Sequence, residues 1–148
     1  MHSPKRVIVT GASRGIGRSL VDAFQNLGHK VWALSRNIDE LKHIMGIHAV
    51  SIDLSDEQQI SDWVGSCGVD HFDVLINNAG MLINKPFSVT TSEDFDAVYR
   101  VNVFGAAQLI RHLLPLLSTS SHILNIRSMG GRNGFAEFPG LAAYSSSK

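Results

Sequence analysis

Cysteine is nearly missing from this chain: Cys67 is the only one in 148 residues. A lone thiol cannot close an internal disulfide, so the fold does not call for an oxidising compartment. No histidine pattern surrounds Cys67, and it reads as a small buried hydrophobe rather than a nucleophile. An excess of charge is missing too, since 13 Lys+Arg balance 13 Asp+Glu. No net field draws the chain to nucleic acid or to an anionic membrane. No apolar run is long enough to span a bilayer, and Val7–Thr10 is too short for a signal-peptide core. The seven histidines (His2, His29, His43, His48, His71, His112, His122) are scattered, with no H-E-x-x-H or other tight pair. No metal site is expected. These absences describe a cytoplasmic protein with neither nucleic acid nor membrane as partner. Repeats, low-complexity blocks and linkers are lacking as well, so residues 1–148 read as one globular domain.

What is present is an alternation. Apolar, β-branched runs occur at Val7–Thr10, Lys30–Ser35, His48–Asp53, Val74–Asn77 and Ile123–Ile126. They lack polar–apolar alternation and resemble strands buried on both faces. Helical patterns lie between them. Ile16, Leu20, Phe24 and Leu27 repeat at helical spacing, with Gly28 as a stop. Ser55 and Gln58 fit a capping box ahead of Ile60, Trp63 and Val64. A long stripe from Ser92 to Leu117 carries Phe95, Val98, Val101, Leu109, Leu113 and Leu117, and Pro115 bends or frays its last turn. Strand–helix alternation predicts a three-layer α/β/α architecture around a doubly wound parallel sheet, the Rossmann design.

After the first run comes Thr10-Gly11-Ala12-Ser13-Arg14-Gly15-Ile16-Gly17, then a helix. Gly11 and Gly15 allow a sharp turn and let backbone N–H groups approach an anion, while Gly17 allows close helix–strand packing. The helix start presents unpaired donors and a positive dipole end to a pyrophosphate. A dinucleotide site selective for NAD places an acid about 20 residues beyond such glycines, on the ribose 2′-OH. Here Ser35 and Arg36 stand at the end of the second run, and no acid follows until Asp39. With Arg14 in the loop, two guanidiniums and a hydroxyl suit a 2′-phosphate, so NADP(H) is favoured over NAD(H).

Further motifs follow in order: Asp53-Leu54, Asn77-Asn78-Ala79-Gly80, Asn102 within Val101–Gly105, Ser128, and Tyr144-Ser145-Ser146-Ser147-Lys148. With the glycine turn, they resemble the classical short-chain dehydrogenases/reductases from Val7 to Lys148. The resemblance implies an enzyme acting on CH–OH donors with NADP, interconverting a small-molecule carbonyl and alcohol. It implies Ser128, Tyr144, Lys148 and Asn102 as the catalytic set. For the cofactor it implies Gly11, Ser13, Arg14, Gly15, Ile16 and Gly17 in the loop, Ser35 and Arg36 at the 2′-phosphate, and Asp53 and Leu54 at the adenine. Asn78, Ala79 and Gly80 would make room at the adenosine ribose, while Asn77 ties neighbouring strands. Tyr144 and Lys148 would meet the nicotinamide ribose, and Asn102 would hold a water linking Lys148 to solvent.

The chemistry of the residues agrees. A free tyrosine has a pKa of about 10, too high for an efficient base near neutrality. A lysine four residues later lies on the same helix face, and its charge favours the phenolate. A dinucleotide-binding protein without turnover, or an inactive fragment on the same fold, is the rival reading. The proton-transfer set argues against the binding protein without turnover, and the glycine spacing argues against a sugar-nucleotide epimerase.

Two departures from the family pattern stand out. Ser128 and Tyr144 are 16 positions apart, a longer spacing than usual, with Ala136-Glu137-Phe138 as the apparent insertion. Arg127 adds a charge beside Ser128 in place of a small residue. The pattern also stops at Lys148, so the chain reads as the front part of a longer protein, cut after the fifth strand. Two further strands and the loop over the substrate are then missing. The expectation is an isolated chain that is inactive and aggregation-prone, from a parent that is a homodimer or homotetramer through the Ser92–Leu117 helix.

Overall fold

The computed structural model describes residues 3–131 and 138–148. Five strands, β1 (Arg6–Thr10), β2 (Lys30–Ser35), β3 (Ile47–Ser51), β4 (Val74–Asn77) and β5 (His122–Asn125), form one sheet. Every pairing is parallel, and the order is β3-β2-β1-β4-β5. The helices are α1 (Gly15–Asn26), α2 (Glu57–Ser66), α3 (Ser92–Tyr99), α4 (Ala106–Leu113) and α5 (Ala142–Ser147). This is a doubly wound Rossmann-like α/β fold. Its strand order reverses between β1 and β4, where the loops leaving the strands part and open a crevice.

Alternate side chains of the central strands enter two separate cores. Ile8, Trp32, Leu34 and Leu75 pack with Ile60 of α2 and with Leu109 and Leu113 of α4. Val7, Val9, Val31, Ala33 and Ile76 pack with Val21 of α1 and with Leu41. Each such buried aliphatic side chain contributes about 1.5–3 kcal/mol relative to exposure. The expectation of two-sided burial holds for β1, β2 and β4, but not for the outer strands. β3 is half-buried or exposed, and all four residues of β5 are exposed. Each of these two strands has a neighbour on one side only. β3 also ends two residues before the expected Asp53, because the Asp53 carboxylate turns the chain by accepting from Ser55 N and Oγ at 2.9 and 2.8 Å. β5 begins at His122 and ends at Asn125, one residue earlier than expected at each end.

α1 stops where the sequence places the stop. Gly28 takes φ +80°, its N–H bonds to Gln25 O at 2.9 Å, and His29 N bonds to Phe24 O at 3.0 Å, a Schellman closure. Its buried side is Gly17 and Val21, with Leu20 and Phe24 half-buried; Ile16 and Leu27 are exposed, contrary to the expected stripe. The cap of α2 is Asp56, not Ser55: its carboxylate accepts from Gln58 N and Gln59 N. Aspartate one position later serves two free donors, whereas the Ser55 hydroxyl is engaged by Asp53. Cys67 is half-buried, with Sγ donating to Val64 O at 3.2 Å.

The long helix expected from Ser92 to Leu117 is not continuous. A π-helical segment, Arg100–Gly105, separates α3 from α4, and a 3-10 turn at Leu114–Leu116 carries Pro115. Such a bulge has an extra residue per turn and re-aims the side chains it carries. It carries Asn102, and it passes tightly over the chain after β3: a Cβ on Gly105 would lie 2.5 Å from Leu54 O.

Candidate active site

The crevice at the switch point holds a cleft of about 380 Å³. Its walls are the loops leaving four strands. Gly11, Ser13, Arg14, Gly15 and Ile16 come from the turn after β1; Leu34, Ser35 and Arg36 end β2; Ile52, Asp53 and Leu54 follow β3; Asn78, Ala79, Gly80 and Met81 follow β4. Val101 closes one side from the π-helical segment. Of the cofactor residues expected from sequence, the structure gathers here all but Gly17, Tyr144 and Lys148.

Gly17 is one layer behind. A Cβ there would fall 2.2 Å from Gly11 O and 2.6 Å from Asn78 Nδ2. Gly11 takes φ +63°, and a Cβ on it would lie 2.8 Å from Ala79 Cα. A side chain at either position would force the β1 and β4 loops apart.

Thr10 explains why those loops sit so close. Its buried hydroxyl donates to Ile76 O at 3.3 Å and accepts from the N–H groups of Asn78 and Ala79, both at 3.0 Å. The Asn78 amide donates back to Thr10 O at 3.0 Å and Gly11 O at 3.2 Å. Asn78 thus shapes the turn with its side chain. Across the cleft, Ser35 Oγ donates to Ser13 Oγ at 3.0 Å, tying the glycine turn to the end of β2.

Two of the three charged residues lining this cleft are basic, Arg14 and Arg36; the third, Asp53, has its carboxylate turned to Ser55. Residue 14 caps α1 in an extended conformation with no side-chain cap bond, and the first turn contains no acid. The free N–H groups of α1 therefore open on the cleft. Arg14 and Arg36 line it, and neither guanidinium pairs with a carboxylate among the described residues. Asp39, the first acid beyond β2, pairs with Lys42 Nζ at 3.1 Å and does not line the cleft.

Next to the cleft lies a chamber of about 90 Å³, lined by Asn77, Asn102, Asn125, Arg127, Ser147 and Lys148 among others. Asn102 is held by Met81 in both directions: Met81 N donates to Oδ1 at 2.7 Å and Nδ2 donates to Met81 O at 3.0 Å. Lys148 Nζ donates to Ile126 O at 3.2 Å, and burial pushes its pKa below the ordinary lysine value. Leu54, Ala79 and Val101 line both spaces, and Gly80 lies close to the side chains of the second. A Cβ on Gly80 would lie 3.2 Å from Lys148 Nζ and 3.7 Å from Asn102 Oδ1. Asn77 Nδ2 donates to Asn125 Oδ1 at 2.9 Å, tying β4 to β5, while its own buried Oδ1 has no partner among the described residues.

Ser128 and Tyr144 are placed differently. Both are half-buried, and neither is among the residues lining the cleft or the chamber. Ser128 Oγ accepts from Gly130 N at 3.3 Å, and α5 approaches the same glycine through Ser145 Oγ. Arg127 donates to Lys148 O at 3.1 Å and Gly131 O at 3.3 Å, so it braces the end of α5. Of the apparent insertion, Ala136 and Glu137 lie outside the described residues; Phe138 is exposed. Sequence reasoning did not assign Leu34, Ile52, Met81 or Val101 to the cleft. Met81 directly follows Gly80, and that adjacency was the available signal.

The profile of the short chain dehydrogenase family matches residues 5–148. The chain belongs to that family. Carbonyl reductase (NADPH) 2 of Sus scrofa is 37% identical over 150 residues, covering 97% of this chain and 59% of that protein. A short-chain dehydrogenase from Streptomyces avermitilis superposes with a TM-score of 0.85 at 34% identity, covering 100% of this chain and 57% of that one. The RhlG/NADP active-site complex of Pseudomonas aeruginosa gives 0.87 at 26% identity, over 99% and 64%. This short-chain dehydrogenase chain spans just over half the length of the curated relatives it matches. Among the described residues, no helix is long and apolar enough to cross a membrane.

Proposed function

We propose that the chain carries the cofactor site and proton-transfer residues of a cytoplasmic NADP(H)-dependent oxidoreductase that interconverts a carbonyl and an alcohol. The observation that carries this reading is the cleft at the α1 N-terminus, with free backbone donors and two guanidiniums lacking carboxylate partners among the described residues. That donor set fits a phosphorylated dinucleotide, and the cleft volume lies within the about 300–1,000 Å³ of small-molecule sites. The names of the Sus scrofa relative and the Pseudomonas complex, which carry NADPH and NADP, support the choice.

In this reading residues 1–148 are one dinucleotide-binding domain of a homodimeric or homotetrameric enzyme. Gly11, Ser13, Arg14, Gly15, Ile16 and Gly17 hold the pyrophosphate, and Ser35 and Arg36 hold the 2′-phosphate. Asp53 and Leu54 meet the adenine, and Asn78, Ala79 and Gly80 shape the ribose site. Tyr144 and Lys148 meet the second ribose. The bound dinucleotide supplies the hydride chemistry. Tyr144 gives its phenolic proton to the substrate oxygen in reduction and takes it back in oxidation. Ser128 donates a hydrogen bond to that oxygen. Lys148 favours the phenolate by its charge, and Asn102 would hold a water in the chamber that links Lys148 to solvent.

Fluorescence titration of NADPH and NADH, on this chain and on Arg36→Asp, tests the cofactor assignment. NADPH is expected to bind more tightly than NADH, and the substitution to weaken NADPH by about 10- to 100-fold, the value of charged hydrogen bonds to the 2′-phosphate. Equal affinities, or indifference to the substitution, sink the assignment. A second reading, nucleotide binding without turnover, draws on the absence of Tyr144 and Ser128 from the cleft walls. NADPH oxidation with a panel of carbonyl compounds, by the full-length parent protein, separates the two.

A further inference from the structure

Glu57 opens α2, and three side chains of α4 converge on its carboxylate. Gln108 Nε2 donates to Oε2 at 3.1 Å, His112 Nε2 donates to Oε1 at 3.1 Å, and Arg111 Nη2 pairs with Oε1. Positions 108, 111 and 112 share one face of a helix. The ion pairs Arg18–Asp22 and Lys42–Asp39 span only four and three positions. The Glu57 cluster instead joins residues 51 to 55 positions apart.

The two elements it joins carry different parts of the cleft wall. Ile52, Asp53 and Leu54 lead into α2, and Val101 belongs to the π-helical segment that leads into α4. The Ile52–Leu54 wall moves with α2, because Asp53 N donates to Gln59 Oε1 at 3.0 Å. It meets the π-helical segment at one tight point, where a Cβ on Gly105 would lie 2.5 Å from Leu54 O and 3.0 Å from Leu54 Cβ. Further along, Ile60 of α2 packs with Leu109 and Leu113 of α4. Apolar packing is non-directional and does not by itself fix how one helix sits along the other. The Glu57 bonds are directional, and they lie three residues after Leu54.

We propose that Glu57 is a positioning residue of the cofactor cleft. Its carboxylate fixes the start of α2 on α4, and so holds the Ile52–Leu54 wall in place relative to Val101 for the adenine half of the dinucleotide. Without it the wall keeps only the Leu54–Gly105 contact and the apolar packing. Binding then has to order a wall that the clamp had already ordered, and affinity falls. The inference rests on the proposed cofactor site.

Calorimetric titration with NADPH and with adenosine 2′,5′-bisphosphate, which is the adenine half alone, tests it. The unsubstituted chain is compared with Glu57→Ala, Glu57→Gln and Asp62→Ala, and urea unfolding is followed in parallel. Asp62 lies on the same helix, and its carboxylate bonds only to Gln58 among the described residues. Glu57→Ala is expected to weaken both ligands by the same factor, about three- to tenfold. Glu57→Gln, which keeps one acceptor oxygen for α4, is expected to recover part of the loss, and Asp62→Ala to leave both affinities unchanged. If Glu57→Ala does not fold by circular dichroism, Arg111→Met removes one exposed donor from the α4 side, with a smaller loss in the same direction. A lower urea midpoint with unchanged affinities shows a merely structural bond and overturns the role of Glu57. Weakened NADPH with unchanged bisphosphate overturns its placement at the adenine half. A folded unsubstituted chain that binds neither ligand overturns the cofactor reading itself.

Discussion

The starts of α1 and α3 solve the same problem in opposite ways. A helix begins with backbone N–H groups that have no partner within it. At α3 the protein supplies the partners itself: Thr91 Oγ1 accepts from Asp94 N at 3.3 Å, and Asp94 Oδ2 accepts from Thr91 N at 3.0 Å. Glu93 and Asp94 place acids in its first turn, against the positive end of the dipole. α1 has an extended arginine at the cap, no side-chain bond and no acid in the first turn. One helix start is closed by its own sequence, and the other is left open toward a cleft. The proposed cofactor site rests on that difference.

Closing the open start should break the contrast most severely. Gly17→Ala puts a Cβ against Gly11 O, a backbone atom that cannot swing aside. Loss of measurable nucleotide binding is expected, with about 1–3 kcal/mol of stability, from fluorescence titration and urea unfolding. Retained binding would show that the glycine turn has room the geometry denies it.

Arg14→Asp sharpens the contrast by giving α1 the kind of cap that α2 and α3 have. The helix should gain about 0.5–1 kcal/mol in urea unfolding while NADPH affinity falls at least about tenfold. Stability and binding moving together would contradict a start left open for an anion.

The smallest effect is expected at α3. Hydrogen bonds from the Lys85 side chain, then from the Thr91 backbone, hold the Asp94 carboxyl below its ordinary value. A carboxyl lowered on folding adds stability that is present above the ordinary aspartate pKa, about 3.9, and is lost as pH falls through the lowered value. Asp94→Asn should flatten that acid limb of the stability profile and leave nucleotide affinity unchanged.

Much of the cleft was legible because its parts are local. A strand, a glycine turn and a helix follow one another within a few residues, and each leaves a pattern of apolar spacing and small residues. Ser35 and Arg36 were found by counting from the glycines to the end of a strand. The long Ser92–Leu117 stripe misled for the converse reason: helical periodicity does not register one extra residue in a turn, and the π-helical segment at Asn102 depends on Met81 and on the chain beside Leu54. β3 misled because an apolar run looks the same at the centre of a sheet and at its edge.

The amino-acid sequence alone determined the strand–helix alternation, the open start of α1 and the identity of most residues around the cleft. Those properties come from side-chain size, charge and neighbours along the chain. Only the tertiary structure decided how the pieces are clamped. Thr10 meets Asn78, Asn102 meets Met81 and Ser147, and Asn77 meets Asn125, through polar contacts that join residues from 21 to 68 positions apart. A hydrogen bond between distant residues has no period and no local composition. It exists only once burial has brought the two ends together and removed the water that would otherwise satisfy them.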